Sequence, residues 1–135
     1  MISISLNDKI VHYKDDYYGA LKDLIGLQLY SIQYQQLSHA KSNIKEQLEQ
    51  YLEFIELERI YADKATKIIL TSLKRKINYF ISSMKFYKTS QTFEASVYEM
   101  ILSLDKLGLL RGFGFSNMWG DALKGNSEKI SLRKQ

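Results

Sequence analysis

The chain has 135 residues, a formal net charge of +4 and a pI of about 9.1, a length that allows one domain, or a small domain plus an extension. Because the sequence contains no cysteine, disulfide scaffolds, thiolate zinc sites and cysteine nucleophiles are excluded. It also contains no run of about 18 apolar residues of the kind that predicts a membrane-spanning helix.

The start of the chain predicts a short irregular or extended segment followed by a helix. Within residues 1–14, residues 2–6 alternate between apolar and polar, which is the period of a strand. Apolar residues then recur at helical spacing, and Asp15 and Asp16 stand where the helix dipole favours negative charge. We therefore expect one helix over residues 15–38.

Two further helices are predicted over residues 43–61 and 64–81. Asn43, with Glu46 three positions later, forms a capping-box pattern near the start of the first of them. Asp63 is a candidate cap for the second. Because no glycine or proline separates the two segments, one long bent helix remains an alternative to two separate helices.

The sequence after residue 82 is expected to leave the helical pattern and then return to it. Residues 83–88 (SMKFYK) are predicted to form a short strand. A fourth helix is expected over residues 91–107, which carry a regular apolar stripe, and Gly108 is placed to end it. The candidate caps of this helix are Thr89, Ser90 and Thr92.

Beyond the fourth helix, the pattern predicts two strands joined by a loop. Residues 109–117 carry bulky apolar side chains between glycines, residues 117–127 are rich in Gly and Asn, and residues 129–134 alternate and would close a hairpin. The order from residue 64 onward is then α-β-α-β-β. We expect a mainly helical α+β protein, with a helical extension over 1–63 and a small domain over 64–135.

Basic residues concentrate between Lys64 and Lys88, where seven Lys or Arg occur without a single acid. Lys74, Arg75 and Lys85 have no acidic residue four positions away along the chain. A helix with an apolar face and an uncompensated basic face suits binding to a phosphate backbone. A merely solvated helix face is the alternative interpretation.

The string RGFGF at residues 111–115 matches the first part of the RNP1 pattern of RNA-recognition motifs. That fold requires a strand between its first helix and RNP1, whereas here Gly108 directly follows the predicted helix. We therefore interpret Phe113 and Phe115 as core residues and the glycines as positions that permit a bend.

No pattern in the sequence predicts catalysis, a metal site or a cofactor. The acidic residues of the predicted helix 43–61 have no partner nucleophile, histidine or glycine-rich loop. His12 and His39 lie in polar surroundings, which favours surface positions. We expect a protein that is not an enzyme, and whose acidic face is solvated or meets a basic partner protein.

Two strings in the second half match one family. Residues 70–74 (LTSLK) follow a Leu-Thr-x-Ile-Arg/Lys pattern, with Arg75 where the family has Asn. The family's second helix ends in the string Ile-Leu-x-x-Leu-x-x-x-Gly-Tyr-Ile-Arg-Gly-Tyr. The residues here that match this string are Met100, Leu104, Gly108, Leu110, Arg111, Gly112 and Phe113. On these residues the stretch from about Ile68 to Lys134, roughly half the chain, resembles the N-terminal domain of small-subunit ribosomal protein eight in its organellar forms.

The resemblance implies a non-catalytic constituent of an organellar small ribosomal subunit in the mitochondrial matrix, with ribosomal RNA and neighbouring ribosomal proteins as partners. The family's C-terminal domain has no counterpart here, so a separate chain supplying it is a further implied partner. Residues 1–63 have no counterpart in the family. Together with the basic positions, the resemblance gives these candidate RNA-binding residues: Lys67, Thr71, Lys74, Arg75, Lys85, Lys88, Ser90 and Arg111.

The rival hypothesis is a small helical protein-interaction factor, such as a phage accessory or immunity-type protein. It rests on the predicted helices within residues 15–61 and on their acidic face, and it implies a cytoplasmic location. The two hypotheses differ over residues 83–134, where three strands favour the ribosomal hypothesis and an all-helical bundle favours the rival.

Overall fold

The computed structural model describes residues 2–6, 8–110 and 130–134. In chain order they form β1 (Ile2–Leu6), β2 (Lys9–Lys14), α1 (Tyr17–Leu29), a 3-10 turn (Ile32–Tyr34), α2 (Leu37–Tyr61), α3 (Lys64–Ser83), a second 3-10 turn (Met84–Phe86), α4 (Ser90–Leu110) and β3 (Ile130–Lys134). The predicted class, a mainly helical α+β protein, is confirmed. The predicted α-β-α-β-β order from residue 64 is not, because helical structure continues where its first strand was expected.

The strands form an antiparallel sheet in the order β2-β1-β3. In the central strand, Ile4 lies opposite Val11 on one side and Leu132 on the other. The turn between β1 and β2 passes through Asp8, whose φ of 68° is a left-handed conformation that Asp tolerates. The strand predicted at 129–134 is therefore confirmed as β3, but the described strand that it pairs with is β1, at the other end of the sequence.

The predicted helix 15–38 is wrong beyond residue 29, where α1 ends. Both the backbone N–H and the hydroxyl of Ser31 donate to the carbonyl of Gln28, at 3.2 and 3.1 Å, and this turns the chain out of the helix. At its start, the Asp16 carboxylate accepts the N–H of Gly19 at 2.9 Å and so caps α1. Every residue of α1 from Tyr17 to Leu27 is buried, so this helix lies at the centre of the fold, against α2, α4 and β1.

Two extended residues separate α2 from α3, so these are two helices and not one long bent helix. Ala62 and Asp63 have ψ angles of 148° and 174°, and the Asp63 carboxylate accepts the N–H of Thr66 at 2.7 Å. The predicted cap at Asp63 is thus confirmed. The capping box at Asn43 is wrong, because α2 begins at Leu37 and Asn43 lies inside it.

The strand predicted at 83–88 is wrong. The hydroxyls of Ser82 and Ser83 donate back to the carbonyls of Asn78 and Tyr79, at 2.9 and 2.8 Å, and α3 continues to Ser83. The 3-10 turn that follows buries Met84 in the core. Segments of this length cannot be assigned by alternation alone, since local hydrogen bonding and the burial of one side chain decide between strand and helix.

The start of α4 is capped by threonines, as expected. Thr89 lies immediately before the helix, and Thr92 N–H donates to Thr89 Oγ1 at 3.2 Å while Thr89 N–H donates to Thr92 Oγ1 at 3.3 Å. The predicted stop at Gly108 is wrong, because α4 runs through it to Leu110. Residues 109–110 of the next predicted strand therefore belong to α4, and residues 111–127, which include RGFGF and the predicted loop, lie outside the described residues.

One cluster of buried side chains joins all four helices to the sheet. It includes Ile4 from β1, Leu21 from α1, Leu48 from α2, Leu73 from α3 and Leu104 from α4. Side chains on both sides of the predicted boundary at residues 63 and 64 belong to this cluster, and β1 and β2 occupy the first 14 residues, which were expected to be irregular or extended. The division of the chain into an extension and a domain stays a prediction.

Candidate nucleic-acid interface

The sequence of α3 divides the helix into an apolar face and a basic face. Its buried stripe consists of Leu70, Leu73, Ile77 and Phe80, which recur three or four residues apart and pack into the core. The α3 residues that are not part of this stripe supply the surface on which four of the eight predicted RNA-binding residues lie.

The opposite surface of α3 is here called the basic face and is defined by Lys64, Lys67, Thr71 and Arg75. The three cations are exposed, and the hydroxyl-bearing Thr71 is half-buried between them. Lys67, Thr71 and Arg75 follow one another at intervals of four, so they lie along one line on the helix. Among the residues that the structure describes, no carboxylate lies within salt-bridge distance of these three cations.

Lys74 differs from its neighbours because α2 supplies a counter-charge. Its Nζ lies 2.8 Å from Oε1 of Glu56, which also accepts from Arg59 at 3.5 Å. The hydrogen bond from Lys74 is the main reason that the pKa of Glu56 is lowered, and Arg59 adds to the effect. The expectation of an uncompensated charge is therefore wrong for Lys74, because its partner comes from a different helix.

The remaining predicted residues lie at the far end of α3. Lys85 and Lys88 are exposed, and Ser90, the first residue of α4, is half-buried. With a rise of 1.5 Å per residue, the helix places Ser83 about 24 Å from Lys67. The structure thus brings Lys67, Thr71 and Arg75 together but separates them from this second group, while Arg111 lies outside the described residues.

A set of functional candidates that the sequence did not single out lies between the two groups. A groove between α3 and α4 is lined by Lys76, Tyr79 and Tyr87, among others. Tyr79 is 77% exposed, four residues after Arg75 and so on the same side of the helix. Lys76 belongs to the Lys-Arg-Lys cluster at 74–76, and an exposed aromatic one turn after that cluster was a signal that could have indicated this groove.

The buried polar side chains elsewhere hold the fold together. Tyr13 donates to Asp23 Oδ2 at 2.6 Å, Tyr51 donates to the Tyr17 carbonyl at 2.6 Å, and Lys22 lies 3.1 Å from Asp105 Oδ1. Burial is the main cause of the raised pKa of Tyr13, and the Asp23 charge raises it further. These pairs link α1 to β2, α2 and α4, which is a structural role.

The two histidines lie on separate elements, β2 and α2, and the described acidic residues form no metal-binding group with them. His12 shares a hydrogen bond of 2.9 Å with Ser3 in the sheet, and His39 is exposed near the start of α2. Across residues 2–6, 8–110 and 130–134, no group of three His, Asp or Glu side chains is placed to hold a metal ion. Glu46, Glu49 and Glu53 are exposed on α2, which therefore presents the predicted acidic face.

No protein-family model matches the chain, and neither a curated protein nor a solved structure shows significant similarity to it. Among the described helices, no segment combines the length and hydrophobicity that crossing a lipid bilayer requires.

Proposed function

We propose that this chain is an RNA-binding protein and that the basic face of α3 contacts the phosphate backbone. The observation that carries the proposal is the exposed row of Lys64, Lys67 and Arg75, which has no carboxylate partner in the described part of the chain. Phosphate contacts of this kind come mainly from Lys and Arg, and hydroxyls such as that of Thr71 supplement them. No acid occurs between Lys64 and Lys88 to oppose the approach of a polyanion.

The narrower proposal is a constituent of an organellar small ribosomal subunit. Its support is the sequence match over residues 70–74 in α3 and residues 100–110 in α4, two helices that both pack into the core. The strand that this family places between the two helices is replaced by a 3-10 turn. Charge and geometry therefore support RNA binding in general, and the ribosomal setting, in the mitochondrial matrix with protein neighbours, rests on the resemblance alone.

The test is a binding titration of fluorescently labelled RNA at several salt concentrations. Neutralising three or four phosphates predicts a slope of log affinity against log salt of about −2 to −3. The double variant Lys67→Glu/Arg75→Glu should abolish most of the binding. The matched control, Lys9→Glu/Lys106→Glu, changes the net charge equally at exposed positions on β2 and α4 and should bind nearly as well as the original chain. Equal loss in both variants, or no binding of RNA at any salt concentration, would contradict the proposal.

A second candidate function is binding to a partner protein through the end of α2. Leu57 and Ile60 are 54% and 64% exposed there, beside the acidic residues of the same helix. Exposed apolar side chains next to charged ones are typical of interaction surfaces. Purification of the native protein separates the candidates, because co-sedimentation with ribosomes supports the first, and a ribosome-free complex that Leu57→Lys disrupts supports the second.

A further inference from the structure

The groove between α3 and α4 encloses a volume of about 240 Å³. Two largely buried side chains, Phe80 and Met100, contribute apolar surface, and Tyr79 and Tyr87 contribute aromatic surface. Lys41 of α2 donates to the Tyr87 carbonyl at 2.5 Å, which fixes that residue beside the groove. The volume is below the roughly 300–1,000 Å³ of sites for drug-sized ligands, so the groove suits a flat group of one ring system.

The groove contains a cation that the protein does not neutralise. Lys76 is half-buried, and burial lowers the pKa of its amine. Glu99 lines the same groove, yet no carboxylate of the described residues lies within 4 Å of Lys76. A partly desolvated cation without a counter-ion favours an incoming anion.

The groove also continues the surface on which the phosphates are proposed to lie. Tyr79 follows Arg75 by one turn, and its ring is exposed. Past the end of α3, Lys85 Nζ lies 5.3 Å from the ring centroid of Phe86, whose side chain is 70% exposed. Cations interleaved with exposed aromatic rings are the arrangement that binds single-stranded nucleic acid, since each base offers a face for stacking.

We propose that this groove holds an unpaired base of single-stranded RNA, stacked on Tyr79, while Lys76 contacts a neighbouring phosphate. This inference rests on the proposed RNA binding and adds the strandedness of the RNA. Paired bases in a duplex are stacked on one another and cannot enter the groove. The chain therefore binds single strands more tightly than duplexes of the same sequence.

The experiment measures the fluorescence anisotropy of three labelled ligands: a short single-stranded RNA, its duplex, and a strand of equal length and charge that lacks bases. Tyr79→Leu should weaken binding of the single strand by on the order of tenfold to a hundredfold, whereas Tyr79→Phe, which keeps the ring, should retain the affinity. Lys76→Gln should also weaken it. None of the three variants should alter binding of the duplex. Tyr79 is exposed and Lys76 is half-buried at the surface, so we expect all three variants to fold, which circular dichroism checks.

The outcomes separate the two proposals. Equal affinity for the single strand and the base-free strand overturns the inference about the groove. The inference is also overturned if Tyr79→Leu leaves the affinity for the single strand unchanged while Lys67→Glu/Arg75→Glu still weakens it. In both cases the proposal that α3 binds the phosphate backbone stands. Failure of all three ligands to bind overturns both proposals.

Discussion

The carboxylate of Glu56 on α2 lies 2.8 Å from the amine of Lys74 on α3 and holds that amine against the protein. Release of Lys74 should therefore add a cation to the basic face. We expect Glu56→Gln to bind RNA more tightly and to steepen the salt dependence by about one phosphate contact. The same titration of labelled RNA measures both quantities.

The control for that variant is Glu53→Gln, which removes an equal charge from an exposed position on the same helix. If the two variants gain the same affinity, the gain reflects net charge alone, and the pairing of Lys74 has no part in it.

The cap of α1 depends on the absence of a side chain at residue 19. A Cβ added to Gly19 would lie 2.2 Å from Asp16 Oδ2, so Gly19→Ala must displace the carboxylate that caps the helix. We expect a loss of about 1–2 kcal/mol in the free energy of unfolding, measured by urea denaturation. Asp16→Ala should cost a similar amount, and the double variant should cost less than the sum, because both changes remove one interaction. Strict additivity would show that the two residues act independently.

Gly108 gives the opposite expectation. A Cβ at this position would meet Tyr18 Cβ at 3.8 Å, an ordinary contact, and the residue lies inside α4. Gly108→Ala should therefore stabilise the protein by about 0.5–1 kcal/mol in thermal or urea unfolding, since alanine is the better helix former. Destabilisation by this substitution would instead indicate the left-handed helix stop that the sequence pattern suggested.

The stability of the protein should fall at alkaline pH because of Tyr13 and Tyr17. The pKa of each is raised, mainly by burial and then by Asp23 or Glu58 respectively. A folded-state pKa above the unfolded value of about 10 means that the stabilisation is present below that pH and is lost as pH rises toward the folded-state pKa. We expect the free energy of unfolding to decline above about pH 10, by up to about 1.4 kcal/mol per pH unit for each tyrosine.

The test compares urea denaturation across that pH range for two variants. Tyr13→Phe should decline less steeply than the original chain, although it starts from a lower stability because the hydrogen bond to Asp23 is lost. Tyr34→Phe, at a side chain that is 71% exposed, should keep the original slope. A slope that is unchanged in Tyr13→Phe would exclude this tyrosine as the source.

The start of a helix was predictable wherever the spacing of the apolar residues and a local capping residue indicated the same position. Asp63 at the start of α3 and Thr89 at the start of α4 are such cases, since their hydrogen bonds reach only three residues along the chain. The predicted stop at Gly108 is wrong because the local stop signal is weaker than the packing of α4 against α1, which holds the last turn in place.

Contacts between segments that are distant in the sequence could not be predicted from it. The pairing of β1 with β3 joins residues near opposite ends of the chain, and no local pattern encodes a partner so remote. The Glu56–Lys74 pair crosses from one helix to another, which rules based on one helical turn do not detect. Of the candidate site, the positions of Lys67, Thr71 and Arg75 on one face were therefore predictable, while the neutralisation of Lys74 and the groove beside Lys76 required the fold.

The central position of β1 also sets the order in which the protein can mature. During synthesis the helices and the β1–β2 hairpin can form early, but one edge of β1 keeps its N–H and C=O groups open until residues 130–134 have emerged. Such non-local pairing is slow, and an open strand edge is where nascent chains join one another. We therefore expect the sheet to close late in folding, and the open edge of β1 to favour aggregation of the newly made chain until then.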